Sequence, residues 1–425
     1  MNRQEKLSTA AVLTPPRKSG TMAAEPGHSS STNGREPRRP NPDTFFDRLI
    51  AFFSSLRLTV VCLGLGLVLV FWGTLAQVEV GLFKAQNEFF RSFFIYWGPA
   101  GSTWRIPIFP GGYLVGGLLL INLVTAHFTR FVWTRKKIGI WMVHFGVILL
   151  LVGQLLTDVL SRESALHLRE GQSKYYSEVQ RQTELAIIDA TDPDTDKVVA
   201  IPQHMLAQQK EIRHPEMPFT VRVKSFYANS RPSNLTADST EPAVATRDIG
   251  SRATVKELPR VTDMDLRDVP SAVIELETSQ GSLGSWLVSE YIDEPQTFTV
   301  GNRTFRLTLR PHRIYKPYSI ELQKFSHDVY AGTDTPKNFS SRVVLQRPET
   351  GEKREVLIYM NSPLRYSGET YYQASFDPDD HGTVLQVVHN PSWLTPYFSC
   401  LLVGAGLIVQ FMTHLIGFAT KRRVA

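Results

Sequence analysis

Twenty consecutive residues from Ile138 to Thr157, IGIWMVHFGVILLLVGQLLT, hold one imidazole and no charged side chain. At about 1.5 Å per residue such a run crosses the roughly 30 Å hydrocarbon core of a bilayer, so it reads as a membrane-spanning helix. Lys136 and Lys137 stand just before it and Asp158 just after it. His144 falls on the order of 9 Å below the lysine-flanked surface. An imidazole at that depth must keep a hydrogen-bond partner or bind a metal, because lipid offers neither. Taken alone, the residue is open to both readings.

The 425-residue chain is 42% hydrophobic, but its apolar residues are very unevenly placed. Three more windows are long enough to span: about Leu58–Gln77, Gly111–Trp133 and Leu394–Phe418. The formal charge of +6 is clustered too, so it is not a nucleic-acid patch. Arg35, Arg38, Arg39, Arg48 and Arg57 precede the first window, Arg130, Arg135, Lys136 and Lys137 lie between the second and third, and Lys421, Arg422 and Arg423 follow the fourth. With four spans all three groups fall on one side, which the positive-inside rule makes the cytoplasm. The expected fold class is therefore an α+β membrane protein. It has four transmembrane helices in a 3+1 order and a large β-rich periplasmic domain between helices 3 and 4.

Boundaries follow in chain order. Residues 1–50 read as a disordered cytoplasmic tail, rich in Ser, Pro, Thr and Arg up to residue 43. The first apolar run starts far from Met1 and no small-residue cleavage pattern follows it, so no cleaved signal peptide is expected. Glu5, Glu25 and Glu36 argue against an organellar transit peptide. The spans are expected at 51–78, 111–133, 138–158 and 394–418, with a short cytoplasmic tail at 419–425. A periplasmic loop at 79–110 carries Phe83, Phe90, Phe93, Phe94 and Trp97 at helical spacing. That pattern predicts a helix over Leu82–Trp97 lying in the membrane interface.

Residues 159–393 form the outer domain. Phe219–Ser225, Ala272–Glu277 and Val384–Val388 alternate or are β-branched as strands do. Thr297–Arg310 reads as a hairpin turning at Gly301-Asn302, and Arg342–Gln346 with Glu355–Tyr359 flank a turn at Glu349–Glu352. The polar stretch 229–270 reads as a long loop or insertion. No βαβ rhythm appears, so a β-sandwich or barrel-like domain is expected rather than an α/β enzyme core. Nucleophile-elbow, Walker and H-E-x-x-H patterns are absent from the sequence, and no catalytic residue is assigned. The only cysteines are Cys62 in the first window and Cys400 in the last. Their depths differ by roughly 10 Å or more, too far for a disulfide, and both are read as buried apolar residues.

His127 lies about six residues from the inner end of the second window, His144 six from that of the third, and His414 a turn or so from that of the fourth. All three are expected within roughly 5–10 Å of the cytoplasmic boundary. Imidazole is a common axial ligand of haem iron, and a helix bundle can hold a flat apolar macrocycle. On the third helix Gly139, Gly146 and Gly153 repeat every seven residues, a stripe open to close helix packing. His144 points about 200° away from Gly146 and shares its face with Trp141, Ile148 and Leu151.

Several segments together resemble the ResB (CcsB-type) proteins of system II cytochrome c biogenesis: SLRLTVVCLGL and GTLAQ at the first span, HFGVILLLVG in the third, LHLREGQ at Leu166–Gln172, KNFSSRVVL, MNSPLRYSGETYYQASFDPDD at Met360–Asp380, and VVHNPSW before the last span. The resemblance covers about Phe52 to Phe418 and is most specific over Met360–Asp380. It implies a multi-pass protein of the bacterial cytoplasmic (inner) membrane with both termini cytoplasmic. Its role would be as a non-autonomous subunit of a haem-attaching, lyase-type holocytochrome c synthase. Haem b would be the transported ligand. The partners implied are a CcsA-type membrane protein, apocytochrome c with a C-x-x-C-H motif and a thiol-reducing thioredoxin-like protein, besides the lipid bilayer; no nucleic acid is implied. His144 matches the family's third-span axial ligand to haem iron, the second ligand lying on the partner, while His127 and His414 are secondary candidates. His389, near the outer surface, is read as interfacial. The alternative is a scaffold that docks apocytochrome or the thiol-reducing partner without holding haem.

Overall fold

The structure, a computed structural model, describes residues 44–99, 104–130, 134–235, 242–261, 266–332 and 336–424. Of the tail expected to be disordered over 1–50, residues 1–43 lie outside the described residues and 45–50 are instead helical; the end of the second window at 131–133 and parts of the 229–270 stretch also lie outside them. Two compact units divide at Leu49 and Ile50. The first includes the start of helix α1 (Phe45–Phe53), where Thr44 Oγ1 accepts from the Asp47 amide at 3.3 Å.

Four helices among the described residues are long and apolar enough to cross a membrane. In chain order they are α2 (Leu56–Val80), α4 (Gly112–Arg130), α5 (Ile138–Leu160) and α7 (Thr395–Val424), with two short helices between them, α3 (Leu82–Ala85) and α6 (Gln203–Ala207). The first long helix starts at Leu56 rather than 51, because Ser55 breaks the run and caps the new helix by accepting from the Arg57 amide at 3.2 Å. The helix expected over Leu82–Trp97 ends at Phe90, where α3 and a π-turn stop. Strand β1 (Phe94–Trp97) follows and pairs with β2 (Ile106–Pro110). Aromatic and β-branched residues suit either element, and the partner strand decides. Phe89 and Phe109 close edge-on over Trp72 at 5.4 and 5.9 Å, so the loop is anchored on α2.

Polar groups link the helices where their faces meet. Buried Asn122 on α4 donates to the carbonyls of Phe53 at 2.7 Å and Ser55 at 3.0 Å, and accepts from the Thr59 hydroxyl at 2.6 Å. Asn122 thereby bridges the α1–α2 break, where the Ser55 carbonyl also accepts the Thr59 amide at 3.3 Å. At the other end Asp158 of α5 accepts from the Tyr113 hydroxyl of α4 and pairs with Arg91 at 2.8 Å.

The glycine stripe of α5 packs against α7. A Cβ at Gly139 would meet the Gln410 nitrogen and the Gly406 carbonyl at 2.6 Å, and one at Gly146 would meet Val403 Cγ2 at 2.6 Å. A Cβ at Gly406 would likewise come within 2.8 Å of the Gly139 carbonyl. Cys62 is buried in α2, but Cys400 is exposed, because it faces away from the seam to which the neighbouring Ser399 is turned. Both thiols are free.

Strands between α5 and α7 are β3 (Arg162–Arg169), β4 (Ser173–Asp189), β5 (Lys197–Pro202), β6 (Glu211–Ile212), β7 (Thr220–Tyr227), β8 (Ser230–Asn234), β9 (Ala253–Glu257), β10 (Ser271–Thr278) and β11 (Gly281–Ser289). They continue with β12 (Gln296–Val300), β13 (Arg303–Val329), β14 (Pro336–Arg347), β15 (Glu352–Tyr359), β16 (Leu364–Tyr366), β17 (Glu369–Phe376) and β18 (Gly382–His389). A ten-stranded sheet runs β15-β14-β13-β4-β3-β18-β17-β16, with β12 on β13 and β5 on β4; a four-stranded sheet runs β11-β10-β7-β6. Both expected hairpins form, β12–β13 across Gly301 at φ +59° and β14–β15 across Gly351. The 229–270 stretch is not all loop, since β8 and β9 pair within it. Asn229 ties its base by donating to the Pro259 carbonyl and accepting from the Val269 amide.

The 27-residue β13 serves two cores. Phe305, Leu307 and Leu309 face the four-stranded sheet, with Val221, Ile274 and Trp286 opposite. Tyr318, Ile320 and Leu322 enter a second core with Leu168, Val343, Tyr371 and Leu385. The β4 register shifts at Pro311 and again between Tyr315 and Ile320, around Pro317, where prolines remove ladder donors and the strand can turn from one core to the other.

Replacing Gly139 with Val should force α5 and α7 apart and cost about 1–3 kcal/mol, as overpacking does. Cysteine cross-linking across the α5–α7 seam should fall in Gly139→Val and stay unchanged in Gly404→Ala, where a Cβ meets nothing within 4 Å.

Candidate functional site

α4 and α5 bring two of the predicted histidines together. The His127 and His144 ring centres lie 6.2 Å apart with their planes inclined by 53°. Trp141, one turn before His144, meets the His127 ring edge-on at 3.9 Å, and Phe128 does the same at 5.8 Å. His127 is 3% exposed and its faces are taken up by these rings. His144 is only half-buried and keeps an accessible side. α7 occupies the opposite side of α5, since it packs on Gly146.

His414 stands elsewhere. It is exposed near the end of α7, with its Nε2 2.7 Å from the Gln410 amide nitrogen. Because Gln410 packs on Gly139, His414 lies about 15 Å along the helix axis from His144. The three histidines are therefore not at one depth. His389 closes β18, in register with Arg162 and Glu369.

Among the described residues no group of three or more His, Cys, Asp and Glu side chains could hold a metal ion. The paired imidazoles thus fall short of the three or four protein ligands of a metal ion held by side chains alone. They suit a metal that arrives with its own equatorial ligands, as haem iron does. Trp141 thus sets an indole beside the two imidazoles, the second of them half-buried.

A second constellation joins β13 and β17. Lys316 Nζ, 5% exposed at the side chain, bonds both Glu369 oxygens at 2.6 and 2.7 Å. Tyr318 and Tyr371 donate their hydroxyls to the same carboxylate at 2.7 and 2.8 Å, and their oxygens are 2.7 Å apart. Burial pushes both phenols well above their ordinary range, so they remain donors. Burial also pushes the Glu369 carboxyl up, but the bonds from Lys316 and the tyrosines outweigh it and hold the group below its usual value. Sequence reading singled out the segment around Glu369 without this network. The partners are 53 residues apart, and strand alternation gives faces, not pairings.

A family model described as the ResB-like family matches residues 280–384. The chain carries a ResB-like region. It is homologous to Protein NrfI of Wolinella succinogenes, 24% identical over 296 residues covering 69% of this chain and 29% of that protein. It is also homologous to Cytochrome c biogenesis protein CcsB of Synechococcus elongatus, 32% identical over 96 residues covering 23% of this chain and 21% of CcsB. The aligned stretches thus span less than a third of the length of either relative. The Lys316–Glu369 network lies inside the ResB-like region, and the histidine pair precedes it in the chain.

Lys316→Met should destabilise the β-rich region by about 3 kcal/mol or more, because it strands a buried carboxylate. The folded Glu369 carboxyl titrates below its unfolded value of about 4.3, so its stabilisation is present above that pH and is lost as pH falls through the folded value. Thermal melts from pH 7 downward should show Glu369→Gln with a flatter acid limb than the parent.

Proposed function

We propose that this chain is a membrane subunit of a cytochrome c maturation machine, one that holds haem and passes it outward for attachment. The observation that carries the reading is the His127–His144 pair beside Trp141 inside a group of apolar helices. His144, with its accessible side, supplies one axial ligand to the iron, and a CcsA-type partner supplies the other. His127 and Trp141 form the wall behind it. Imidazole ligation helps set the redox poise of the iron, which must be reduced, like the apocytochrome thiols, for attachment. The resemblance to proteins of cytochrome c biogenesis, seen in the CcsB relative, supports the same role.

In this reading α2, α4, α5 and α7 cross the bacterial cytoplasmic membrane, with the arginine- and lysine-rich ends inside and the β-rich region in the periplasm. The β-rich region faces the apocytochrome C-x-x-C-H segment and a thioredoxin-like reductant. One surface feature favours a docking role in addition. Tyr175 and Tyr315, about half exposed, cluster with Tyr176 at centroid separations of 5.8 Å, and Arg313 stacks on Tyr176 at 4.1 Å. Exposed tyrosines held by a stacked arginine, here one that also pairs with Glu178 at 3.0 Å, suit interface anchors.

The test is the absorption spectrum of the chain purified with and without its partner. His144→Ala and His144→Gly should lose the Soret band and cytochrome c maturation together, while His414→Ala should retain both. Unchanged haem content and maturation in the His144 variants overturns the ligand assignment. A retained Soret band with lost maturation favours docking alone.

A further inference from the structure

A cleft of about 560 Å³ opens where the helices meet the β-rich region. Gln154 and Thr157 of α5 line one wall with Tyr397 of α7, and the β16–β17 hairpin, Arg365 to Tyr372, lines the other. It is a separate place from the histidine pair, since Gln154 is ten residues past His144, about 15 Å along α5 and about 80° around it.

The cleft is built rather than incidental. Ser367 at φ +51° and Gly368 at φ +80° make the tight two-residue turn that sets the hairpin edge. The next residue, Glu369, is clamped by Lys316, Tyr318 and Tyr371, which holds the hairpin and offsets the acid's charge. Arg365 stacks over the Trp393 indole at 3.9 Å and is exposed; among the described residues it forms no ion pair. Tyr372, Trp393 and Tyr397 are 39%, 43% and 65% exposed around it. The lip therefore carries one uncommitted guanidinium set among aromatic faces. In the reading above, it sits at the outer membrane interface, with α5 and α7 as the floor.

We propose that this cleft binds the anionic head of an amphiphile that partitions into the membrane. Arg365 receives a carboxylate or phosphate through its paired N–H groups, and Tyr372, Trp393 and Tyr397 pack on the adjoining apolar body. The volume lies within the range of small-molecule sites. Two sources share this chemistry: a phospholipid of the outer leaflet, and haem, whose propionates are anionic and whose ring is flat and apolar. The proposal rests on the membrane orientation given above, and its haem source rests on the haem reading as well.

The experiment uses the full chain in neutral detergent, titrated with phosphatidylglycerol, phosphatidylcholine and haem, with binding read by native mass spectrometry. The haem titration is repeated in a His144→Ala background, so that cleft binding is separated from axial ligation. Arg365→Gln should weaken phosphatidylglycerol or haem binding by about tenfold or more, the loss of one charge-assisted contact, with phosphatidylcholine unaffected. Arg365→Lys should recover part of the loss, which sets recognition apart from misfolding. A drop confined to phosphatidylglycerol identifies lipid, and a drop in haem binding in the His144→Ala background identifies haem. Equal binding of all three by wild type and Arg365→Gln overturns the proposal. Failure of the haem reading appears instead as unchanged haem content in His144→Ala and leaves the lipid arm standing.

Discussion

The α5–α7 seam is the constraint on which the rest of the molecule depends. With Gly139, Gly146 and Gly153 against Gly406, Val403 and Thr395, the two helices run antiparallel at near-backbone contact. α5 passes into β3 across Ser161, and β18 reaches α7 across five residues, 390–394. β3 and β18 are themselves antiparallel neighbours, Arg162 opposite His389 through Arg169 opposite Gly382. One continuous antiparallel pair thus runs from helix to strand. A slip along the seam would shift the central register of the ten-stranded sheet, and a one-residue slip in a strand exchanges its buried and exposed faces. Ser392, donating to the Gly153 carbonyl at 3.3 Å, and Asn390, donating to Thr157 at 3.3 Å, pin the junction.

This dependence explains which parts of the fold were legible in the sequence. Long apolar windows and a seven-residue glycine repeat are one-dimensional signals, and the four helices and the packing of α5 follow them. Hairpins with a glycine turn were equally local. The misread segments were those decided by distant partners. Phe94–Trp97 became strand because Ile106–Pro110 pairs with it, and Ser55 broke α1 from α2 where Asn122, far along the chain, donates to the Phe53 and Ser55 carbonyls. The length of β13 was hidden by Pro311 and Pro317, which look like strand ends and act as bends between two cores.

The candidate site divides the same way. That His127 and His144 share a level came from counting residues inward along two neighbouring helices, and their rings meet. His414 was counted by the same rule, but α7 continues through Val424, and the contact of Gln410 on Gly139 sets the histidine well past the other two. A depth argument needs the true helix end, and the charged last turn of α7 hid it. The Lys316–Glu369–Tyr318–Tyr371 network had no sequence signal, because an ion pair between two β strands has no fixed spacing.

Burial also ranks the two bundle histidines. A ligand to an incoming group must keep an approach on one side, and a supporting residue need not. In the proposed reading His127, closed in by Trp141 and Phe128, shapes a wall, and His144, on the face of α5 turned away from the seam, receives the guest. The seam that organises the fold thereby sets the direction from which a guest or partner helix can reach the imidazole. α7 covers the glycine face and α4 packs on Trp141, so in the proposed reading approach is left to the part of the His144 surface that neither helix covers. A ligand set completed by a second polypeptide, as proposed, requires that this remaining side of His144 be the one the partner meets.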